Sequence, residues 1–108
     1  MENNVPINAT CPECRGPLSL VPGSMEVRCL VGHTYSPVTL MQAHYETQER
    51  ALWAAVVALE EARPLVEAIA PYCSPEAIAR LKEQAAEKVA QAAEIRSVIE
   101  RLQPFRPE

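Results

Sequence analysis

Residues 29–37, CLVGHTYSP, set a cysteine and a histidine four positions apart, with a glycine just before the histidine, and then pass into Ser36-Pro37. The first part is a spacing that turns two metal donors toward one point. The second reads as a helix start: the serine hydroxyl can accept from free first-turn amides, and proline suits the first helical position because that amide has no partner there. The stretch therefore marks where one kind of structure ends and another begins.

Upstream, Cys11-Pro12-Glu13-Cys14 is a C-x2-C pair, separated by residues 15–28 from the C-x3-H pair Cys29 and His33. All three glycines, Gly16, Gly23 and Gly32, fall in this half. Leu18–Val21 and Met25–Cys29 read as short strands around a Pro22-Gly23-Ser24 turn, and neither would persist alone in water. Two donor pairs joined by a hairpin suit tetrahedral zinc, with Gly16 and Gly32 giving the backbone freedom to curl at each pair. The expected ligands are Cys11, Cys14, Cys29 and His33. Three thiolates and one imidazole fill all four positions and leave none for water or substrate, so one structural Zn2+ is the expected cofactor. Its binding energy, on the order of 10–16 kcal/mol for such sites, is folding energy that so small a half cannot draw from its core, and chelation should unfold the ribbon first. Buried cysteines beside a surface histidine, and a C-x-x-C redox pair, are the alternatives; the redox pair lacks the βαβ scaffold it needs. Cys73 and His44 are weaker candidates for the fourth ligand, the first lying beyond a long helix and the second two turns into it.

Downstream of Pro37, apolar or small residues recur at Met41, Tyr45, Leu52, Ala55, Leu59, Ala62, Val66 and Ile69, with Gln48 the polar member, in steps of four and three. Pro64 removes a helical hydrogen bond to Glu60 and collides with that carbonyl, which predicts a kink in one bent element, a full break being the alternative. Pro71-Tyr72-Cys73-Ser74-Pro75 repeats the stop-and-start pattern, with Ser74 as cap and Glu76 placed favourably at the positive helix end. A second stripe follows through Ile78, Leu81, Ala85, Lys88 or Val89, Ala92, Ile95, Ile99 and Leu102. So short a turn predicts antiparallel helices, each roughly 40–50 Å long at 1.5 Å per residue. The expected fold is mainly α with a small zinc-bound β-ribbon, and its expected divisions are a flexible N-terminus over 1–10, a zinc ribbon over 11–36, a helical hairpin over 37–103 and a tail over 104–108. Within the hairpin the helices should span about 37–70 and 75–102.

The chain has 108 residues, 48% of them hydrophobic but only 5% aromatic, so one small domain with a thin core is expected. Its net charge of −4 gives no electrostatic footprint for nucleic acid. The longest apolar stretch, ALWAAVVAL over 51–59, is far short of the roughly 20 residues a membrane span needs, and the first residues carry no secretion signal, which points to the reducing cytoplasm. Alanine-rich seams bury little area, so pairing two hairpins through Trp53, Val57, Ile78 and Val98 predicts a homodimer, with a protein partner as the other expected contact.

Residues 11–62, from CPECRGPL through CLVGHTYS to ALWAAVVALEEA, resemble the accessory segment found C-terminal to CheB-type chemotaxis methylesterase domains in some bacteria. The shared pattern is CPxCxGxL, a hairpin, CxxGHxYS and a helix containing ALWAAxxALEE. The resemblance covers about half the chain and implies that Cys11, Cys14, Cys29 and His33 match that segment's metal ligands, and that Tyr35, Ser36 and Trp53 match recurrent positions. The methylesterase domain has no counterpart here, and no G-x-S-x-G elbow occurs. No esterase activity is implied.

The expected function is therefore a non-catalytic, zinc-stabilised interaction or assembly module, with a chemotaxis-like signalling role implied by the resemblance alone. Two alternatives stand beside it: a nucleic-acid-binding ribbon, which would rely on Arg15, Arg28 and a stacking Tyr35, and a redox-responsive switch in which oxidation of the thiolates ejects the metal. His44, Glu46 and Glu49 read as a solvated face rather than a catalytic group. Tyr45, Trp53 and Tyr72 read as core rather than as a cofactor pocket.

Overall fold

The computed structural model describes residues 3–107. Four strands come first, β1 (Val5–Thr10), β2 (Pro17–Val21), β3 (Glu26–Cys29) and β4 (Thr34–Tyr35). Three helices follow, α1 (Pro37–Glu60), α2 (Ala62–Ile69) and α3 (Pro75–Glu100), with a 3-10 turn at Ala70–Tyr72. Helix accounts for 58% of the described residues, yet the N-terminal part is a four-stranded antiparallel sheet in the order β1-β2-β3-β4, which makes the fold mixed rather than mainly α with a small ribbon.

The added strand is β1, in a stretch expected to be a flexible lead-in. Val5 pairs with Leu20, Pro6 with Ser19 and Ile7 with Leu18, and the register shifts before Thr10 meets Pro17. Val5 and Ile7 alternate onto the apolar side, and Pro6 is tolerated because β1 is an edge strand. The hairpin between β2 and β3 pairs Leu18 with Cys29 and Leu20 with Val27. Met25, expected to open β3, sits instead in the turn at φ +58. One sheet face carries Leu18, Val27 and Cys29, all buried with Cys11, and Ile7, Leu20, Tyr35 and Leu40 pack against them. Ser19, Arg28 and Thr34 alternate onto the other face, where Arg28 pairs with Glu26 at 3.4 Å.

The chain divides into two compact units, Met1–Gln48 with Pro104–Glu108, and Glu49–Gln103. The first takes in the opening turns of α1, whose Leu40 lies on the sheet core. It also takes in the final residues expected to form a free tail: Phe105 meets Tyr45 edge-to-face, with ring centroids 5.2 Å apart. Helix α1 starts where Ser36-Pro37 places it. The Thr39 amide donates to Ser36 Oγ at 3.2 Å and the Ser36 amide donates to Thr39 Oγ1 at 3.0 Å, a reciprocal cap.

In the second unit α1 ends at Glu60 and α2 opens at Ala62, while the Glu61 amide still donates to Val57 O at 3.0 Å and the Leu65 amide to Glu61 O at 3.1 Å. Glu61 keeps helical dihedrals, φ −67 and ψ −14, and Pro64 falls in the first turn of α2, where its missing amide costs nothing. Helix α3 is capped by Ser74, whose Oγ accepts from the Ala77 amide at 3.2 Å, and it ends at Glu100 rather than 102. Val56, Val66, Ala85 and Ala92 are buried, with Leu52, Ala55, Leu59, Leu81, Val89, Ile95 and Ile99 half-buried around them. Met41, Tyr45, Gln48 and Ile69, expected on the seam, are exposed, as is Leu102 on the second stripe. Helix α2 packs on α3, and at the end of α1 Arg96 forks onto Glu60, at 2.9 Å to Oε2 and 3.1 Å to Oε1, with its guanidinium 5.4 Å from the Trp53 ring centre. Arg96 holds the Glu60 carboxyl below the usual carboxylate range.

Candidate metal centre

The two knuckles expected to hold donors are both built. In the first, the Cys11 amide donates to Gly16 O at 2.7 Å and the Arg15 amide to Cys11 O at 2.8 Å. The left-handed residue there is Arg15, at φ +65, not Gly16. Position 16 is crowded instead by a sulfur: a Cβ would lie 3.3 Å from Cys14 Sγ, onto which the Gly16 amide donates at 3.4 Å. In the second knuckle the Cys29 amide donates to His33 O at 3.0 Å, and Gly32 takes φ +105, which other residues rarely adopt. The His33 amide points at Cys29 Sγ at 3.3 Å.

These knuckles bring Cys11, Cys14, Cys29 and His33 together, with one donor atom from each lying within 4.8 Å of the others. Cys14 Sγ is 3.7 Å from Cys29 Sγ. His33 turns Nδ1 inward, 3.3 Å from Cys29 Sγ and 3.6 Å from Cys11 Sγ. Cys11 and Cys29 are buried, His33 is half-buried and Cys14 is exposed. All four cysteines of the chain are free thiols, so no disulfide competes for the sulfurs. Such a set can hold one metal ion with all four donors supplied by the chain.

The local electrostatics favour a charged sulfur at two of the three cysteines. Burial raises the Cys11 thiol, but the Tyr35 hydroxyl and the Cys14 and Glu13 amides outweigh it and bring the pKa from 9.0 to about 6. Burial also raises Cys29, and amides of His33 and Val31 outweigh it, leaving that thiol lowered. At Cys14 the Gly16 amide lowers the value, while lost solvation and the neighbouring Cys29 and Cys11 sulfurs win and raise it. His33 is raised by hydrogen bonding to Cys29 and then to Cys11. Burial, then contacts with Cys11 and Glu13, push the Tyr35 phenol far up, so it stays a hydroxyl.

Tyr35 was expected near the cluster only as a stacking residue, and Glu13 was not expected to act there. The Tyr35 hydroxyl donates to Glu13 Oε2 at 2.8 Å and lies 3.2 Å from Cys11 Sγ. The signal was its place two residues after His33, which in extended chain is the same side. The other candidates lie apart from the cluster. Cys73 belongs to the second unit, half-buried after the 3-10 turn. His44 is on α1 with its Nε2 buried and without a hydrogen-bond partner, while Glu46 and Glu49 face solvent. The aromatics expected as core are exposed, Tyr72 most of all. Among the described residues no helix is long and apolar enough to cross a membrane.

No protein-family model, curated protein or solved structure matches this chain.

Proposed function

We propose that the chain is a non-catalytic interaction or assembly module whose N-terminal sheet is held by one structural Zn2+ on Cys11, Cys14, Cys29 and His33. The observation that carries this reading is the convergence of the four donor atoms. Zinc at about 2.3 Å from sulfur and 2.0–2.1 Å from nitrogen puts tetrahedral ligands about 3.8 Å apart for two sulfurs and about 3.6 Å for a sulfur and a nitrogen. Three of the donor spacings, 3.7, 3.6 and 3.3 Å, lie close to that frame, and all four donors lie within 4.8 Å of one another. A Cys3His set suits zinc better than calcium or magnesium, which take oxygen. With four protein donors the metal keeps no open position for a reacting water.

The helical part is the interaction element, an antiparallel hairpin of α1–α2 against α3. Supporting that reading, Glu60 meets Arg96 while Val66 and Glu67, further along, share a depression with Lys82 and Ala85. Its apolar surface, with Trp53 41%, Val57 52% and Val98 39% exposed, suits a second copy of the chain or a protein partner in the cytoplasm. The chemotaxis-like context follows from the resemblance of residues 11–62 alone. Arg28, one of the two basic residues near the cluster, is engaged with Glu26, which weakens the nucleic-acid reading. A second reading, a redox-responsive clip, is favoured by the exposed Cys14 thiol 3.7 Å from Cys29.

The test is metal analysis of the purified chain combined with sedimentation equilibrium. One zinc per chain and a dimer mass at micromolar concentration are expected. A metal-free folded protein would remove the zinc reading, and a monomer mass would remove the self-association.

A further inference from the structure

We propose that Glu13 and Tyr35 are positioning residues for the four-donor cluster, the Tyr35 hydroxyl beside the Cys11 sulfur holding the Glu13 carboxylate in place, and that carboxylate fixing which nitrogen His33 presents. The inference rests on the zinc reading above and names what orders the site.

The two nitrogens of His33 face different partners. Nδ1 looks at the sulfurs of Cys29 and Cys11. Nε2 looks outward at Glu13 Oε2, 4.0 Å away. An imidazole that offers the Nδ1 lone pair to a metal must carry its proton on Nε2, and a carboxylate beside Nε2 favours that tautomer and the ring orientation that goes with it. At 4.0 Å the pair is beyond a direct hydrogen bond, so Glu13 acts here through its charge.

An exposed glutamate cannot hold such a place alone. The Glu13 side chain is 60% exposed and would sample many rotamers, each leaving His33 without its outer partner. The Tyr35 hydroxyl removes that freedom by donating to the same Oε2 at 2.8 Å. Its oxygen also sits 3.2 Å from Cys11 Sγ, a polar neighbour for a sulfur otherwise closed off by Leu18 and Val27. Tyr35 is itself fixed by β4 pairing opposite Val27. Glu13 lies between the ligands Cys11 and Cys14 in the chain, so one hydroxyl joins the first knuckle to the strand that follows the second. The donors are therefore aligned by contacts that do not pass through the metal.

The test uses the full chain with Glu13→Gln, Tyr35→Phe and the double variant. Zn2+ affinity is measured by competition with a chromophoric chelator, and Co2+ loading is followed by absorption spectroscopy. Each single variant should bind Zn2+ about 10–100-fold more weakly. The double variant should lose less than the product of the two single losses, because the Tyr35–Glu13 hydrogen bond is shared by both. Tyr35→Phe should also shift the sulfur-to-cobalt charge-transfer band, which a change in packing distant from Cys11 would not do. Circular dichroism at saturating metal separates this from loss of fold, and if Tyr35→Phe fails to regain structure, Glu13→Gln on its exposed side chain decides. Unchanged affinity and unshifted bands in the variants, with the wild type binding normally, would overturn the positioning roles alone. A wild-type chain that binds neither metal would overturn them together with the zinc reading.

Discussion

Cys29 is where the constraints of this molecule meet. Its backbone pairs with Leu18 in the sheet, its side chain is part of the buried core, and its sulfur lies 3.7 Å from Cys14 and 3.3 Å from His33 Nδ1. Cys73 shares its chemistry but none of these contacts. Replacing Cys29 by Ser should therefore reduce bound zinc from one per chain to a small fraction, while Cys73→Ser should leave it at one, as read by metal analysis after desalting. The convergence of these four residues was legible in the sequence because spacing constrains it: two short donor pairs, each closed by a turn and joined by a hairpin, bring their side chains to one place. Tyr35 and Glu13 were not legible in that way. Their role depends on a strand pairing that brings residue 35 beside residue 13, and a tyrosine or glutamate carries no ligand spacing of its own.

At the level of elements, helix starts were the clearest signals, since they are set by side chains one to three residues from the amides they satisfy. Ser36 shows this: it both accepts from and is answered by Thr39. Ser36→Ala should cost about 1 kcal/mol, measured by chemical unfolding of the metal-loaded chain. In α2 and α3 the buried residues, Val66, Ala85 and Ala92, are those the sequence stripes named, whereas in α1 the period was right but the centre offset. The seam through Leu52, Ala55 and Leu59 is half-buried, whereas the residue buried completely is their neighbour Val56. A stripe about 100° wide covers positions on either side of any strict four-and-three count, so the count alone cannot say which neighbour lies deepest. Val56→Ala should lower stability by about 2 kcal/mol through two lost methyl groups and the space they leave, read from the shift in thermal midpoint. Strand β1 escaped because Pro6 and Asn8 look like breakers, and only pairing with β2 makes VPINAT extended. Pro64 lies in the first turn after the division between α1 and α2, yet the bonds on either side of it persist, from the Glu61 amide to Val57 O and from the Leu65 amide to Glu61 O.

On the scale of the whole molecule, the division of the chain does not fall at the ribbon-to-helix junction near residue 36. It falls between Gln48 and Glu49, and Pro104–Glu108 joins the first unit. Thin cores explain this. The sheet presents only Leu18, Val27, Cys11 and Cys29 as buried residues, and it gains cover from Leu40 on α1, while Phe105 on Tyr45 ties the last residues to the same unit. Sequence periodicity reports what an element is, not which neighbour its first turns will lean on, so that boundary could not be read ahead. With so small a core, a cation bound as proposed would be the main source of order for the first unit. X-ray absorption at the zinc edge of the purified chain tests that most directly. A first shell of three sulfurs at about 2.3 Å and one imidazole nitrogen at about 2.0–2.1 Å is expected. A shell of oxygens without sulfur, or a folded chain with no zinc signal, would contradict it.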